Sequence, residues 1–343
     1  MKTNLKKPML ARPRMSALIA AGAASLLALS SCSSTTASPD ATSTGSSATA
    51  DKLTVAASFY PVAWLAEQIG ADAVTVSPIT PANVEPHDFE LSPADISNLS
   101  KSQLVIYVKG FQPSLDDAVA TISGPTVVDL SSQVSLEKPQ ITGDGADGHD
   151  HDEHDDHEGE EDAHAHSHDH AALGLDPHFW LDPVRMKAAA SALTDALSTA
   201  NANKAETFKD NLDALNTKLD DLDSAFSTGL KQCKLRDVVT SHAAFGYLTG
   251  RYGLNQYAIS GVDPEAEPSP ADLAKVKRIV QANGTTTIFT EELVSPKTAQ
   301  AVAQETGAKT AVLSPVESKP ESGDYISAMH NNLKELRSAL QCQ

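Results

Sequence analysis

Basic residues are scarce in this chain: 26 Lys and Arg stand against 45 Asp and Glu over 343 residues, a formal net charge of −19. A surface that neutralises phosphates needs the opposite balance, so a role on nucleic acid is excluded. No Walker loop occurs in the sequence, so the chain carries no nucleotide-hydrolysing site of that type. No His-Glu-x-x-His pair occurs either, which removes the helical signature of many zinc peptidases. Long apolar runs are missing too: the one starting at Ser16 extends about fourteen residues, short of the roughly 20 a membrane-spanning helix needs. Cysteine occurs only three times, at Cys32, Cys233 and Cys342.

That apolar run follows a basic stretch with Lys2, Lys6, Lys7, Arg12 and Arg14, the order of a secretory signal. It ends in Leu29-Ser30-Ser31-Cys32, which resembles the bacterial lipobox, in which the cysteine receives a diacylglyceride and becomes the mature N-terminus. Residues 1–32 are therefore expected to be a lipoprotein signal with Cys32 as the lipidated residue. Residues 33–52, rich in Ser, Thr and Ala and without periodicity, read as a flexible tether. The folded part is expected to begin near Leu53, outside the cytoplasmic membrane and anchored to it by lipid. Cys233 and Cys342 then remain as an even pair in an oxidising compartment. A disulfide and two buried thiols are equally compatible with the sequence.

Short β-branched runs (LTVAAS, VTVSPI, LVIYV, TVVDL) alternate with helical segments from Leu53 to Leu130, the rhythm of a parallel sheet covered by helices. From Asp182 to about Leu230 the pattern is helical, with apolar residues every three or four positions and no proline after Pro183. A helix of about 25 residues there would span nearly 40 Å and could brace two lobes. The alternation returns with DVVTS, LNQYAIS, TTTIFT and KTAVLS. The expected fold is α/β: two similar α/β lobes bridged by a long rigid helix, with a site in the cleft between them. The boundaries predicted are 53–181 for the first lobe, 182–231 for the helical linker and 232–343 for the second lobe. Residues 144–172 form an inserted loop in the first lobe.

That loop contains GHDHDEHDDHEGEEDAHAHSHDH, which holds eight of the twelve histidines: His149, His151, His154, His157, His164, His166, His168 and His170. Roughly half of the chain's acidic excess lies there as well. Histidine alternating with carboxylate binds divalent metals weakly at many sites and cannot build a core. A solvated acidic insertion is the plain alternative. Of the remaining histidines, His330 falls in an amphipathic helical pattern and reads as structural. His87 in NVEPHDFELSP, His178 in LDPHFWLDP and His242 in VVTSHAAFGYL fall where strands are expected to give way to the next element. Ligands of open α/β sheets gather at such strand ends, so three histidines there point to a shared metal. Asp176 could orient the ring of His178.

These motifs, with EPSPADL, IFTEELVSPKTA and LSPVES in order along the chain, resemble the zinc-binding lipoproteins of ABC importers, the ZnuA-like and AdcA-like solute-binding proteins. The resemblance covers the chain from Leu53 to its C-terminus. It implies that His87, His178 and His242 are imidazole ligands of Zn2+ drawn from both lobes, that the loaded protein docks on a membrane permease driven by a separate ATPase subunit, and that the receptor is a monomer. It implies Glu317 as fourth ligand, since relatives with a similar LSPLE segment supply a glutamate there. Glu85 and Glu291 are alternative ligands or supporting groups. Three imidazoles and one carboxylate make a four-coordinate set of the kind zinc accepts. Manganese relatives of the fold replace the third histidine by a carboxylate. Two further classes stand beside the receptor: a zinc hydrolase, in which Glu85 or Glu291 would be the general base, and a surface adhesin, for which no residue argues. The histidine-rich loop is then expected to be an auxiliary arm of weak sites beside the specific one.

Overall fold

The computed structural model describes residues 52–139 and 174–343. The expected signal segment, Cys32, nearly all of the tether and the whole histidine-rich loop, His149 to His170 included, lie outside the described residues.

The first lobe is built on β1 (Leu53–Ala57), β2 (Val74–Pro78), β3 (Leu104–Tyr107) and β4 (Thr126–Asp129), all parallel in the order β2-β1-β3-β4. Its helices are α1 (Tyr60–Gly70), α2 (Pro93–Lys101) and α3 (Pro113–Thr121). The second lobe repeats the plan with β5 (Asp237–Thr240), β6 (Asn255–Ala258), β7 (Thr287–Thr290) and β8 (Lys309–Val312) in the order β6-β5-β7-β8. Between the lobes stand α4 (Pro183–Ala200) and α5 (Ala205–Gly229), separated by a break at Asn201 and a single 3-10 turn. The second lobe adds α6 (Gly246–Arg251), α7 (Pro270–Asn283), α8 (Lys297–Thr306) and α9 (Tyr325–Ala339). The two parallel-sheet lobes and the 25-residue helix α5 are the architecture expected from the alternating strand and helix patterns. Among the described residues no helix is long and apolar enough to cross a membrane.

Strand periodicity decides where each lobe packs. In the first sheet Val55, Ala57, Leu104 and Ile106 face one way, while Ala56, Val105 and Tyr107 face the other, as a two-residue repeat requires. The outward set packs under α2 and α3 with Leu99, Leu115 and Ala118. The inward set joins α1, α4 and α5, through Leu193, Leu197, Leu219 and Phe226, and continues to Phe245, Phe289, Tyr325 and Leu336 of the second lobe. In the second sheet Val239 and Ile288 face α7 and α8 instead. One apolar core therefore runs through both lobes, and each sheet has a private layer on its far side. Burial of each such Val, Leu or Phe contributes about 1.5–3 kcal/mol.

The repetition extends to local signals. Ser92-Pro93-Ala94-Asp95 opens α2 and Ser269-Pro270-Ala271-Asp272 opens α7. In each the serine accepts from the backbone of the aspartate while the aspartate accepts from the serine N–H, a capping box with proline at the first helical position. Gly284 and Gly307, both at left-handed φ, end α7 and α8. Cys233 and Cys342 are joined by a disulfide across 109 residues, beside a backbone bond from Leu235 N to Leu340 O. The C-terminus of α9 is thereby fastened to the chain leading into β5.

Candidate metal centre

In parallel sheets the carboxyl ends of the strands on either side of the order reversal make the natural crevice. In the second lobe that place lies between β5 and β7. His242 follows β5 and Glu291 directly follows β7, and their side chains meet with Nδ1 to Oε2 at 2.6 Å. In the first lobe the equivalent place is apolar: Phe59 follows β1, Phe111 follows β3, and their rings are 4.5 Å apart. His87 arrives from the long connection between β2 and α2. His178 does not sit at a strand end as expected. It caps a 3-10 turn (Phe179–Leu181) that leads into α4, so the linker rather than a sheet delivers it. Glu317 lies in the loop between β8 and α9.

These four residues converge: one ligand atom from each of His87, His178, His242 and Glu317 lies within 4.8 Å of all the others. His178 Nε2 is 3.3 Å from both His87 Nε2 and His242 Nε2. Glu317 Oε1 is 3.5 Å from the Nε2 of His87 and of His178 and 3.9 Å from that of His242. A tetrahedron with zinc to nitrogen bonds of about 2.0–2.1 Å has edges of about 3.3–3.4 Å, so His178 already stands at a metal-binding separation from His87 and from His242. All four are buried, and Glu317 Oε1 has no hydrogen-bond partner. A carboxylate oxygen left so among three imidazoles calls for a cation.

The other carboxylates singled out in the sequence occupy a surrounding layer. The backbone N–H of each histidine donates to one of them: His87 to Glu85 Oε1 at 3.1 Å, His178 to Asp176 Oδ1 at 3.0 Å and His242 to Glu291 Oε1 at 3.1 Å. Asp176 Oδ1 also lies 2.8 Å from His178 Nδ1. For His178 the carboxylate therefore sits on Nδ1 and leaves Nε2 to the centre, an arrangement that sets tautomer and ring direction, while Glu291 lies beside His242 Nδ1 without a hydrogen bond to it. Glu85 accepts from Asp88 N as well, so it closes the turn that carries His87 and does not point a free oxygen at the cluster. His330 is exposed on α9 and takes no part.

Electrostatics follow from burial and pairing. Burial holds the pKa of His87 below the ordinary imidazole value. Burial opposes charge on His178 too, but Asp176 and Glu317 outweigh it and raise that pKa to about 9. Burial favours a neutral Glu317, yet its contacts with His178 and His87 hold the carboxyl well below the usual range. Glu85 is pushed up to about 8 by burial and by the nearby Glu317. The proton favoured on His178 is the one a metal at this atom would have to displace.

The wall of the centre is aromatic, and the sequence reading passed over it. Phe111 packs 4.5 Å from the His87 ring and Trp180 lies 5.1 Å from the His178 ring. Trp180 Nε1 donates to Pro315 O at 2.7 Å and its own carbonyl accepts from Tyr325 Oη at 2.5 Å, which ties the His178 turn to the Glu317 loop. Trp180 was within reach, since it stands inside LDPHFWLDP. Phe111 gives no local signal beyond its place after β3.

The model of the ZnuA family, described as the periplasmic component A of a zinc-uptake complex, matches residues 55–339. The chain belongs to the ZnuA family. Relatives of this ZnuA-family chain include the high-affinity zinc uptake system protein ZnuA of Bacillus subtilis, 34% identical over 93% of this chain and 95% of its own length. The zinc-binding lipoprotein AdcA of Streptococcus pneumoniae is 36% identical over 83% of this chain and 55% of its own length, so the chain spans about half the length of the AdcA relatives it matches. The crystal structure of the Zn(II)-bound ZnuA-like domain of Streptococcus pneumoniae AdcA superimposes with a TM-score of 0.65 at 32% identity, covering 84% of this chain and 99% of that one.

Proposed function

We propose that the protein is the extracytoplasmic zinc receptor of an ABC importer, with His87, His178, His242 and Glu317 as the ligands of the captured ion. The observation that carries this reading is the convergence of three Nε2 atoms and one unpartnered carboxylate oxygen on a single buried point, at spacings suited to a tetrahedral ion. Zinc enters as cargo. It exchanges its water for three imidazoles and a carboxylate, releases the proton of His178, and is shielded by Phe111 and Trp180. The nitrogen-rich set favours zinc over manganese, which prefers oxygen.

Capture suits the centre better than hydrolysis. Four protein ligands leave no open position for a reacting water, and Glu85, Asp176 and Glu291 are all engaged by histidine N–H groups. In this reading Cys32 carries the lipid anchor, the loop with His149 to His170 collects zinc weakly beside the centre, and a permease with its ATPase subunit takes delivery from the monomeric receptor.

The test is a zinc competition titration with the purified protein, with manganese as competing ion. One tightly held zinc resistant to manganese is expected. His178→Ala should weaken binding far more than deletion of residues 144–172. Equal losses from the two changes would remove the buried centre from the mechanism, and turnover of ester or peptide substrates at saturating zinc would replace the receptor reading by an enzymatic one.

A further inference from the structure

Two buried side-chain amides lie behind the candidate ligands, one in each lobe. Gln112 is 1% exposed and sits at the start of α3, where its own carbonyl accepts from Leu115 N and Asp116 N. Its Nε2 donates to Thr80 Oγ1 at 2.8 Å and to Pro86 O at 3.1 Å. These two acceptors stand near the ends of the excursion from β2 to His87. The orientation of the amide is fixed by chemistry: Thr80 spends its hydroxyl proton on Ser58 O, so it can only accept, and a carbonyl such as Pro86 O only accepts. Both protons of Gln112 are thus used to grip the loop that ends in His87. Its Oε1 is left buried without a hydrogen-bond partner, a cost that an apolar side chain at this position would avoid.

Asn332 is 2% exposed in the middle of α9. Its Oδ1 accepts from Ser314 N at 2.9 Å and its Nδ2 donates to Ser314 O at 2.6 Å, a two-point grip on one peptide. Ser314 Oγ in turn accepts from Val316 N at 3.2 Å. Val316 holds φ at +58°, a region a β-branched residue leaves unless its surroundings impose it. The grip on Ser314 and the bond from Trp180 to Pro315 O impose it, and the next residue is Glu317.

We propose that Gln112 and Asn332 are positioning residues for zinc, each lobe using one buried amide to fix the loop that carries its own ligand, His87 in the first lobe and Glu317 in the second. Asn332 stands on a helix and Gln112 caps one, and such positions hold a loop more firmly than another loop could. The idea rests on the zinc-centre reading and makes it specific: the two ligands are set independently, lobe by lobe.

The test is a set of double-mutant cycles on the full chain, read as zinc dissociation constants by chelator competition. Gln112→Met and Asn332→Leu keep size and remove the amide. Each is expected to weaken zinc about tenfold, the scale of supporting-shell losses. In the His87→Ala background Gln112→Met should change affinity by no more than about twofold, while its effect persists in Glu317→Gln. Asn332→Leu should show the mirror pattern, silent in Glu317→Gln and undiminished in His87→Ala. A purely structural role would give equal losses in every background, and that result overturns the proposal. If circular dichroism shows either variant unfolded, Gln112→Asn, one methylene short of Pro86 O, and Asn332→Asp, which cannot donate to Ser314 O, carry the same cycles. Binding unchanged by His87→Ala and Glu317→Gln themselves would instead overturn the zinc-centre reading, and this inference with it.

Discussion

Asp176→Asn separates two effects of one carboxylate. Asp176 Oδ1 lies 2.8 Å from His178 Nδ1 and accepts from His178 N at 3.0 Å, while its backbone is held by Glu137 O and Tyr247 Oη. Asparagine keeps the shape and those backbone bonds and removes the charge. On the bound state the loss is that of a supporting carboxylate, about 10–100-fold in metal affinity. On the empty state the effect is opposite. With Asp176 in place the pKa of His178 is raised to about 9, so at pH 7 zinc competes with a proton at a disadvantage of about a hundredfold. Without that charge burial lowers the pKa against Glu317 alone, and part of the proton competition disappears. The variant should therefore bind about 10–100-fold more weakly than the parent at pH 9, where the proton competes only about twofold, and closer to the parent at pH 7. The sign follows from the raised pKa: parent affinity climbs as pH rises towards about 9 because the proton is lost there. Zinc competition against a chelator of known affinity at both pH values is the assay. A ratio of affinities that is the same at pH 7 and pH 9 would refute the reasoning.

The disulfide closes a loop of 109 residues, and backbone bonds on either side keep its ends together in the folded state, so its effect falls mainly on the unfolded chain. Cys233→Ser with Cys342→Ser should cost about 2–5 kcal/mol and lower the melting temperature by about 10 °C, with zinc stoichiometry unchanged, as calorimetry and titration would show. Trp180 lies 5.1 Å from the His178 ring, whereas Trp64 packs 4.7 Å from Tyr325 in the core. Intrinsic fluorescence should therefore respond to zinc through Trp180: the change survives Trp64→Phe and vanishes with Trp180→Phe, and the reverse result would place the binding event elsewhere.

Much of this was legible in the residues because the signals are local. Leu-Val-Ile-Tyr at β3 and Thr-Ile-Phe-Thr at β7 are fully buried strands and read as such, and each Ser-Pro-Ala-Asp announces the start of a helix. The three histidines stood out once the loop from His149 to His170 was set apart, since only His330 was left as a competitor. The delivery of His178 was misjudged because a strand end and a helix-initiating turn share the same punctuation, here Asp-Pro-His, and nothing local tells them apart. The break between α4 and α5 at Asn201 was equally faint, lacking proline or glycine.

What the sequence determined by itself is the alternation of strands and helices and the kinds of atom offered to a metal. These follow from periodicity and side-chain chemistry, which need no partner to be read. What only the tertiary structure decided is that Glu317 stands beside His87, that Glu85 and Glu291 are engaged by histidine N–H groups, and that Gln112 and Asn332 grip the loops leading to His87 and Glu317. Those facts depend on segments up to 230 positions apart, from His87 to Glu317, being brought together by one core running through both lobes. Burial then shifts the protonation of the groups it encloses, which no stretch of sequence encodes alone.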